Sequence, residues 1–100
     1  MTIRDLEIFC AVAETGHIGA AAKKLFISQP TVSHVISQIE KTYHVKLFER
    51  FSKKLLITET GQELLRYARH NLNNFKDMEH YLYHASEQFT IHIGASLTVG

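Results

Sequence analysis

The stretch from Ser28 to Ile39 constrains this chain more than any other. Ser28 is a good helix N-cap, and Pro30 falls in the first turn, where its missing N–H would have no intrahelical partner. Val32, Val35, Ile36 and Ile39 then follow the i, i+3, i+4, i+7 spacing of one buried helical face. Ile27 and Val32 sit at the two positions of a hydrophobic staple, which fixes the angle at which the chain enters the helix. The opposite face carries Gln29, Thr31, Ser33, His34, Ser37, Gln38 and Lys41. Solvated faces usually carry both Glu and Lys, yet no acid occurs from residue 15 to residue 39. A rigid helix with a polar, acid-free face is suited to reading an anionic partner.

The flanking segments predict a mainly α fold around it. Thr2 with Asp5 three residues on approaches a capping box for a first helix. Ile3, Leu6, Phe9, Cys10 and Ala13 form its apolar stripe, and Gly16 ends it. A short second helix presents Ile18, Ala21, Ala22 and Leu25, and its alanines allow close helix approach. From residue 45 to 58 the period changes. Residues 45–50 and 55–57 read as two short strands around Phe51-Ser52-Lys53-Lys54, a hairpin with a basic tip. Thr58, or the pair Thr60 and Glu63, can then cap a helix from about residue 59 to about residue 86.

That last helix would be about 40 Å long, longer than a 58-residue headpiece can cover. Leu64, Leu65, Ala68, Leu72, Phe75, Met78, Leu82 and Ala85 make one stripe along it. A stripe without an intrachain partner points to a second chain. Thr90 to Ala95 alternates like a lone strand. The predicted architecture is a winged helix-turn-helix over residues 1–58, a dimerisation or linker helix over 59–87, and the start of a truncated further domain at 88–100.

A formal net charge of +1 would seem to exclude nucleic acid, but the average conceals a segregation. Residues 1–14 carry a net −2, residues 15–58 a net +5, and residues 59–100 a net −2. A basic middle between acidic flanks is the footprint of a localised polyanion site. The single cysteine excludes an internal disulfide and a Cys cluster for zinc, which fits a reducing cytoplasm. No apolar run reaches membrane-spanning length, and the N-terminus lacks a signal-peptide pattern, so a cytoplasmic protein without membrane contact is expected.

The side chains on the third helix match what base edges require. Gln29 can bond bidentately to adenine, and Ser33 and Ser37 can donate or accept. The Thr31 methyl can pack on a thymine methyl, and His34 can reach guanine or a phosphate. Pro30 and Thr31 lie at the helix end that enters the major groove in this motif. Ser28 and Gln38 are candidates for the sugar-phosphate backbone, with Arg50, Lys53 and Lys54 on the wing.

Catalysis is not expected. Cys10 falls on an apolar stripe with no partner in sequence. His80 and His84 are spaced i, i+4, but the residues between them lack the glutamate of the zinc-protease motif.

Three runs now acquire a context: Ala21-Ala22-Lys23-Lys24-Leu25, Ser28-Gln29-Pro30-Thr31-Val32-Ser33 and Ile36-Ser37-Gln38-Ile39-Glu40. With Leu47-Phe48-Glu49-Arg50 and Ile57-Thr58-Glu59-Thr60-Gly61, this pattern resembles the N-terminal DNA-binding domain and linker helix of LysR-type transcriptional regulators. The resemblance covers about residues 3–87, and Ile91-His92-Ile93-Gly94 looks like the first strand of that family's effector-binding domain. It implies a bacterial transcription factor that binds promoter DNA at an inverted repeat. The linker helix would pair antiparallel in a homodimer, with a tetramer open to the full-length protein. It implies no cofactor in this segment and a small-molecule co-inducer for the complete protein.

The chain departs from the family pattern at several positions. Gly19 stands where a hydroxyl residue often starts the second helix, and His34 where Arg or Gln is common. Tyr43-His44 replaces a typical Leu-Gly, so His44 is expected at positive φ. The competing reading is a coiled-coil protein-interaction module whose winged helix is not used for DNA.

Overall fold

A computed structural model describes the backbone of residues 1–91 and the side chains of residues 1–85. Four helices and one hairpin follow in the order α1 (Ile3–Thr15), α2 (Ile18–Leu25), α3 (Gln29–Tyr43), β1 (Phe48–Phe51), β2 (Lys54–Ile57) and α4 (Glu59–Ile91). The winged helix-turn-helix with a long following helix is therefore the fold.

Helix α1 starts at a complete capping box. The Thr2 hydroxyl accepts from the Asp5 N–H at 3.1 Å, and the Asp5 carboxylate accepts from the Thr2 N–H at 3.1 Å. It ends at Gly16, whose φ of 77° is the left-handed geometry that glycine adopts without cost. This helix is more central than its stripe suggests: Ile8, Ala11 and Val12 are buried along with Leu6, Phe9 and Cys10. It packs against α2, α3 and α4, so apolar residues cover most of its circumference. Phe9 meets Phe48 of the wing, with ring centroids 5.6 Å apart.

The α2–α3 turn passes through Phe26, which takes a left-handed φ of 59° while its ring is 94% exposed. Ser28 caps α3 as expected, accepting from the Thr31 N–H at 3.3 Å. The Ser28 and Thr31 hydroxyls also share a hydrogen bond of 2.8 Å. Val32, Ile36 and Ile39 are buried, and Val35 is half-buried against them. His44 ends the helix at φ 55°, the positive value expected of it.

The first strand begins later than the sequence suggests, at Phe48 rather than Val45. Residues 45–47 form a connector held by the side chains of Glu40 and Thr58. The Glu40 carboxylate accepts from the Leu47 N–H at 2.7 Å and the Phe48 N–H at 3.4 Å. β1 and β2 pair antiparallel, Phe48 opposite Ile57 and Phe51 opposite Lys54, around a two-residue turn at Ser52 and Lys53. The hairpin is docked by the Leu55 N–H, which donates to the Gly16 carbonyl at 3.0 Å.

Thr58 then launches α4. Its hydroxyl accepts from the Gly61 N–H at 3.0 Å and donates to the Lys46 carbonyl at 2.6 Å. Of the two possible caps, Thr58 is the one used. Gly61 packs directly on the connector, since a Cβ there would press into the Leu47 carbonyl oxygen and the Ile57 side chain.

Helix α4 corrects two expectations. It runs to Ile91, so Thr90 and Ile91 are helical rather than the start of a strand; residues 92–100 of that expected strand and further domain lie outside the described residues. Its apolar stripe is also not wholly without an intrachain partner. Ala68 is fully buried in the headpiece core, and Leu64, Leu65 and Leu72 pack against that core. Sequence spacing alone could not show that α4 folds its first turns back onto α1. Beyond Leu72 the stripe opens: Met78 is 50% exposed and Leu82 57%, with Tyr81 and Tyr83 exposed beside them. No helix among the described residues is long and apolar enough to cross a membrane.

Candidate nucleic-acid interface

Helix α3 buries Val32, Ile36 and Ile39, which turns Gln29, Pro30, Thr31, His34, Ser37 and Gln38 outward; all six are exposed. Ser33 is half-buried beside them. Ser28 is exposed too, but its hydroxyl is engaged with Thr31 in the cap.

The wing stands next to this face. A cleft of about 360 Å³ is lined by His17, Ile18 and Gly19 at the start of α2, by Gln29 at the start of α3, and by Arg50, Ser52, Lys53, Lys54 and Leu55 of the wing. It brings together four residues nominated from sequence: Gln29, Arg50, Lys53 and Lys54. A smaller gap of about 30 Å³ joins Ser33 and Ser37 to Arg50, with Ile36, Glu40, Phe48 and Leu55. Thr31, His34 and Gln38 line neither space; they lie along the open surface of α3. The two spaces share Arg50, which places that side chain at the junction of the α3 face and the wing.

Five cleft residues were not nominated, His17, Ile18, Gly19, Ser52 and Leu55, and two of them shape the site. Gly19 is not the cap of α2; it is the second helical residue, and His17 is the N-cap, without a side-chain capping bond. The bare α-carbon of Gly19 makes room for Gln29, since a Cβ there would stand 3.2 Å from Gln29 Nε2. His17 Nδ1 lies 3.2 Å from the Lys53 carbonyl oxygen, which ties the wing turn to the start of α2. The sequence signal for His17 was its place between the helix-ending Gly16 and the first residue of α2. The bond to Lys53 spans 36 positions and leaves no trace in local pattern.

Electrostatics refine the charge count. Glu14 of α1 pairs with Lys24 of α2 at 2.9 Å and with Arg69 of α4 at 3.8 Å. Glu40 spends its carboxylate on backbone N–H groups. The wing cations Arg50, Lys53 and Lys54 have no ion-pair partner among the described residues.

The residues weighed for catalysis show no such arrangement. Cys10 is 7% exposed, and burial, with Glu14 nearby, pushes its thiol above the usual range, which disfavours the thiolate. The His80 and His84 rings meet edge-on, their centroids 4.2 Å apart. Among the described residues no group of three or more potential metal ligands occurs.

Comparison with known proteins places this geometry. The family profile described as bacterial regulatory helix-turn-helix protein, lysR family, matches residues 3–62. The DNA-binding transcriptional dual regulator OxyR of Escherichia coli K12 is 39% identical over 102 aligned residues, covering all of this chain and 33% of the relative. The HTH-type transcriptional activator CmpR of a Synechocystis strain is 42% identical over 64 residues, 64% of this chain and 21% of the relative. The chain therefore spans about a third or less of these curated relatives. Among solved structures, the CbnR_DBD–DNA complex superposes with a TM-score of 0.80 at 34% identity, over 86% of this chain and 99% of that one. The BenM_DBD complex with catB site 1 DNA gives 0.83 at 32% identity, over 88% of this chain and 95% of that one.

Proposed function

Because the chain belongs to the lysR family of bacterial regulatory helix-turn-helix proteins, we propose that its headpiece reads promoter DNA in sequence and does so as one half of a homodimer. The segment is a LysR-type helix-turn-helix DNA-binding domain, and the relatives it matches are transcriptional regulators rather than enzymes. The observation that carries the sequence-reading proposal is the continuity of the α3 face with the wing cations across one cleft. The coiled-coil alternative is not favoured, since similar solved domains are DNA complexes.

In this reading α3 lies in the major groove. Gln29, Pro30, Thr31, Ser33, His34 and Ser37 face base edges. Ser28, Gln38, Arg50, Lys53 and Lys54 hold the sugar-phosphate backbone and supply salt-dependent affinity. The outer part of the α4 stripe, the half-buried Phe75 with the exposed Met78 and Leu82, meets a second subunit, and two headpieces then address the halves of an inverted repeat. Leu64, Leu65, Ala68 and Leu72, expected in the same interface, serve first to seat α4 on its own headpiece. The complete protein is proposed to act in the cytoplasm, to respond to a small-molecule co-inducer, and to be capable of tetramer formation. No cofactor is assigned to this segment.

The test is fluorescence anisotropy with promoter DNA and a scrambled duplex across a salt series. Tighter binding to the promoter at moderate salt is expected. Equal affinity for both would remove sequence specificity from the proposal.

A further inference from the structure

His17 occupies the N-cap position of α2 but makes no capping bond there. Its Nδ1 faces the Lys53 carbonyl oxygen at 3.2 Å. A carbonyl oxygen only accepts, so Nδ1 must carry the hydrogen. In the neutral imidazole Nε2 is then a bare acceptor, which cannot bond a phosphate oxygen. A second proton changes both properties at once: Nε2 becomes a donor, and the ring becomes a cation.

The surroundings offer a seat for an anion. His17 is exposed and lines the cleft that also holds Gln29, Arg50, Lys53 and Lys54. The charged groups that share this cleft are Arg50 from β1, Lys53 from the turn and Lys54 from β2, all cationic, while on α1, which also packs on α2, Glu14 is paired with Lys24 and Arg69. The neighbouring residues from α2 and α3, Gly19 and Gln29, carry no charge. A phosphate seated among the three cations would lie beside the ring and favour its charged form.

We infer that His17 is a proton-coupled ligand for a DNA backbone phosphate, gripping the duplex through Nε2 while Nδ1 holds the wing turn. This rests on the DNA-binding reading above. The wing has an independent anchor in the bond from the Leu55 N–H to the Gly16 carbonyl, so loss of the imidazole does not undock it.

Phosphate contact is independent of sequence, so mixed-sequence duplex DNA is a sufficient probe. Its affinity for the wild-type protein, measured at fixed low salt from about pH 6 to about pH 8, should fall several-fold, up to roughly tenfold. Calorimetry in two buffers of different protonation enthalpy should register proton uptake on binding. His17→Gln can still donate to the Lys53 carbonyl but cannot titrate. It should fold, keep the affinity seen at the alkaline end, and lose its share of the pH dependence. The His17 ring resonance, identified by its loss in that variant, should move toward the protonated position when DNA is added near neutral pH.

His34→Gln, on the exposed face of α3, should leave the His17-dependent slope in place. A wild-type slope in His17→Gln, or one abolished only by His34→Gln, overturns the inference. Wild-type binding without pH dependence overturns it as well and leaves the DNA-binding reading standing. Failure of the wild-type protein to bind duplex DNA refutes that reading itself.

Discussion

The side-chain amide of Gln29 fills the space that a Cβ on Gly19 would claim, with Nε2 3.2 Å from that position. The opening of α2 thereby sets where the first polar residue of α3 can lie. Gly19→Ala should keep the fold and raise stability by up to about 1 kcal/mol, because alanine is the better helix former. The displaced end of Gln29 should alter promoter-over-scrambled discrimination while the salt slope stays unchanged. Thermal melts and anisotropy on both duplexes would check this; an equal loss on both would show that Gly19 acts on affinity alone.

Gly61 is the opposite case, because its neighbour is backbone rather than a flexible side chain. A methyl there meets the Leu47 carbonyl and Ile57. Gly61→Ala should destabilise the domain by about 3 kcal/mol through overpacking. Chemical denaturation would measure it, and a cost under about 1 kcal/mol would mean that the connector yields.

Glu40 replaces the sheet pairing that residues 45–47 lack. Removing its carboxylate in Glu40→Ala leaves the Leu47 N–H without this acceptor and should cost about 1–3 kcal/mol. Glu40→Gln retains an acceptor oxygen and should recover part of that loss. Equal stability of the two variants would assign the effect to packing instead.

The two halves of the α4 stripe should respond differently to charge. Leu82→Glu should yield monomers by sedimentation with the melting behaviour of the headpiece preserved. Leu72→Glu should lower the melting temperature as well, since Leu72 packs on the core. A Leu82→Glu protein that remains dimeric would exclude the outer stripe as the interface.

Burial raises the Cys10 thiol above its reference value of 9.0. A group whose folded value exceeds its unfolded one contributes fully below the unfolded value, and that contribution is lost as pH rises. Stability should therefore decline above about pH 9, with a shallower decline in Cys10→Ala. Alkylation at neutral pH should be negligible until the chain unfolds, and rapid labelling of the folded protein would contradict the burial.

Local chemistry was legible wherever a residue's own backbone or side chain solved its own problem. The Thr2–Asp5 box, the Gly16 stop, the Ser28 cap and the positive φ of His44 are all cases of this kind. The polar face of α3 was legible because helical period alone separates it from Val32, Ile36 and Ile39. What escaped was set by contacts distant in sequence. The return of α4 onto α1 gave Ala68 a partner inside the chain, and Glu40 took over the backbone N–H groups of Leu47 and Phe48. The burial of α1 on more than one side has its trace in the continuous apolar run from Ile8 to Val12, which the single stripe understates. Phe26 had no such signal, since an aromatic residue gives no reason to expect left-handed backbone.

The burial of Ala68 makes α4 a rigid lever as well as a connector. From Leu72, where the helix leaves its headpiece, to Ile91 the shaft is about 28 Å long. Pivoted at its far end, a tilt of about 7° sweeps the headpiece through about 3.4 Å, one base-pair step along the duplex. In the proposed homodimer, an angular adjustment at the far end would therefore reset the spacing between two reading heads in units of the DNA repeat, with no change inside either head.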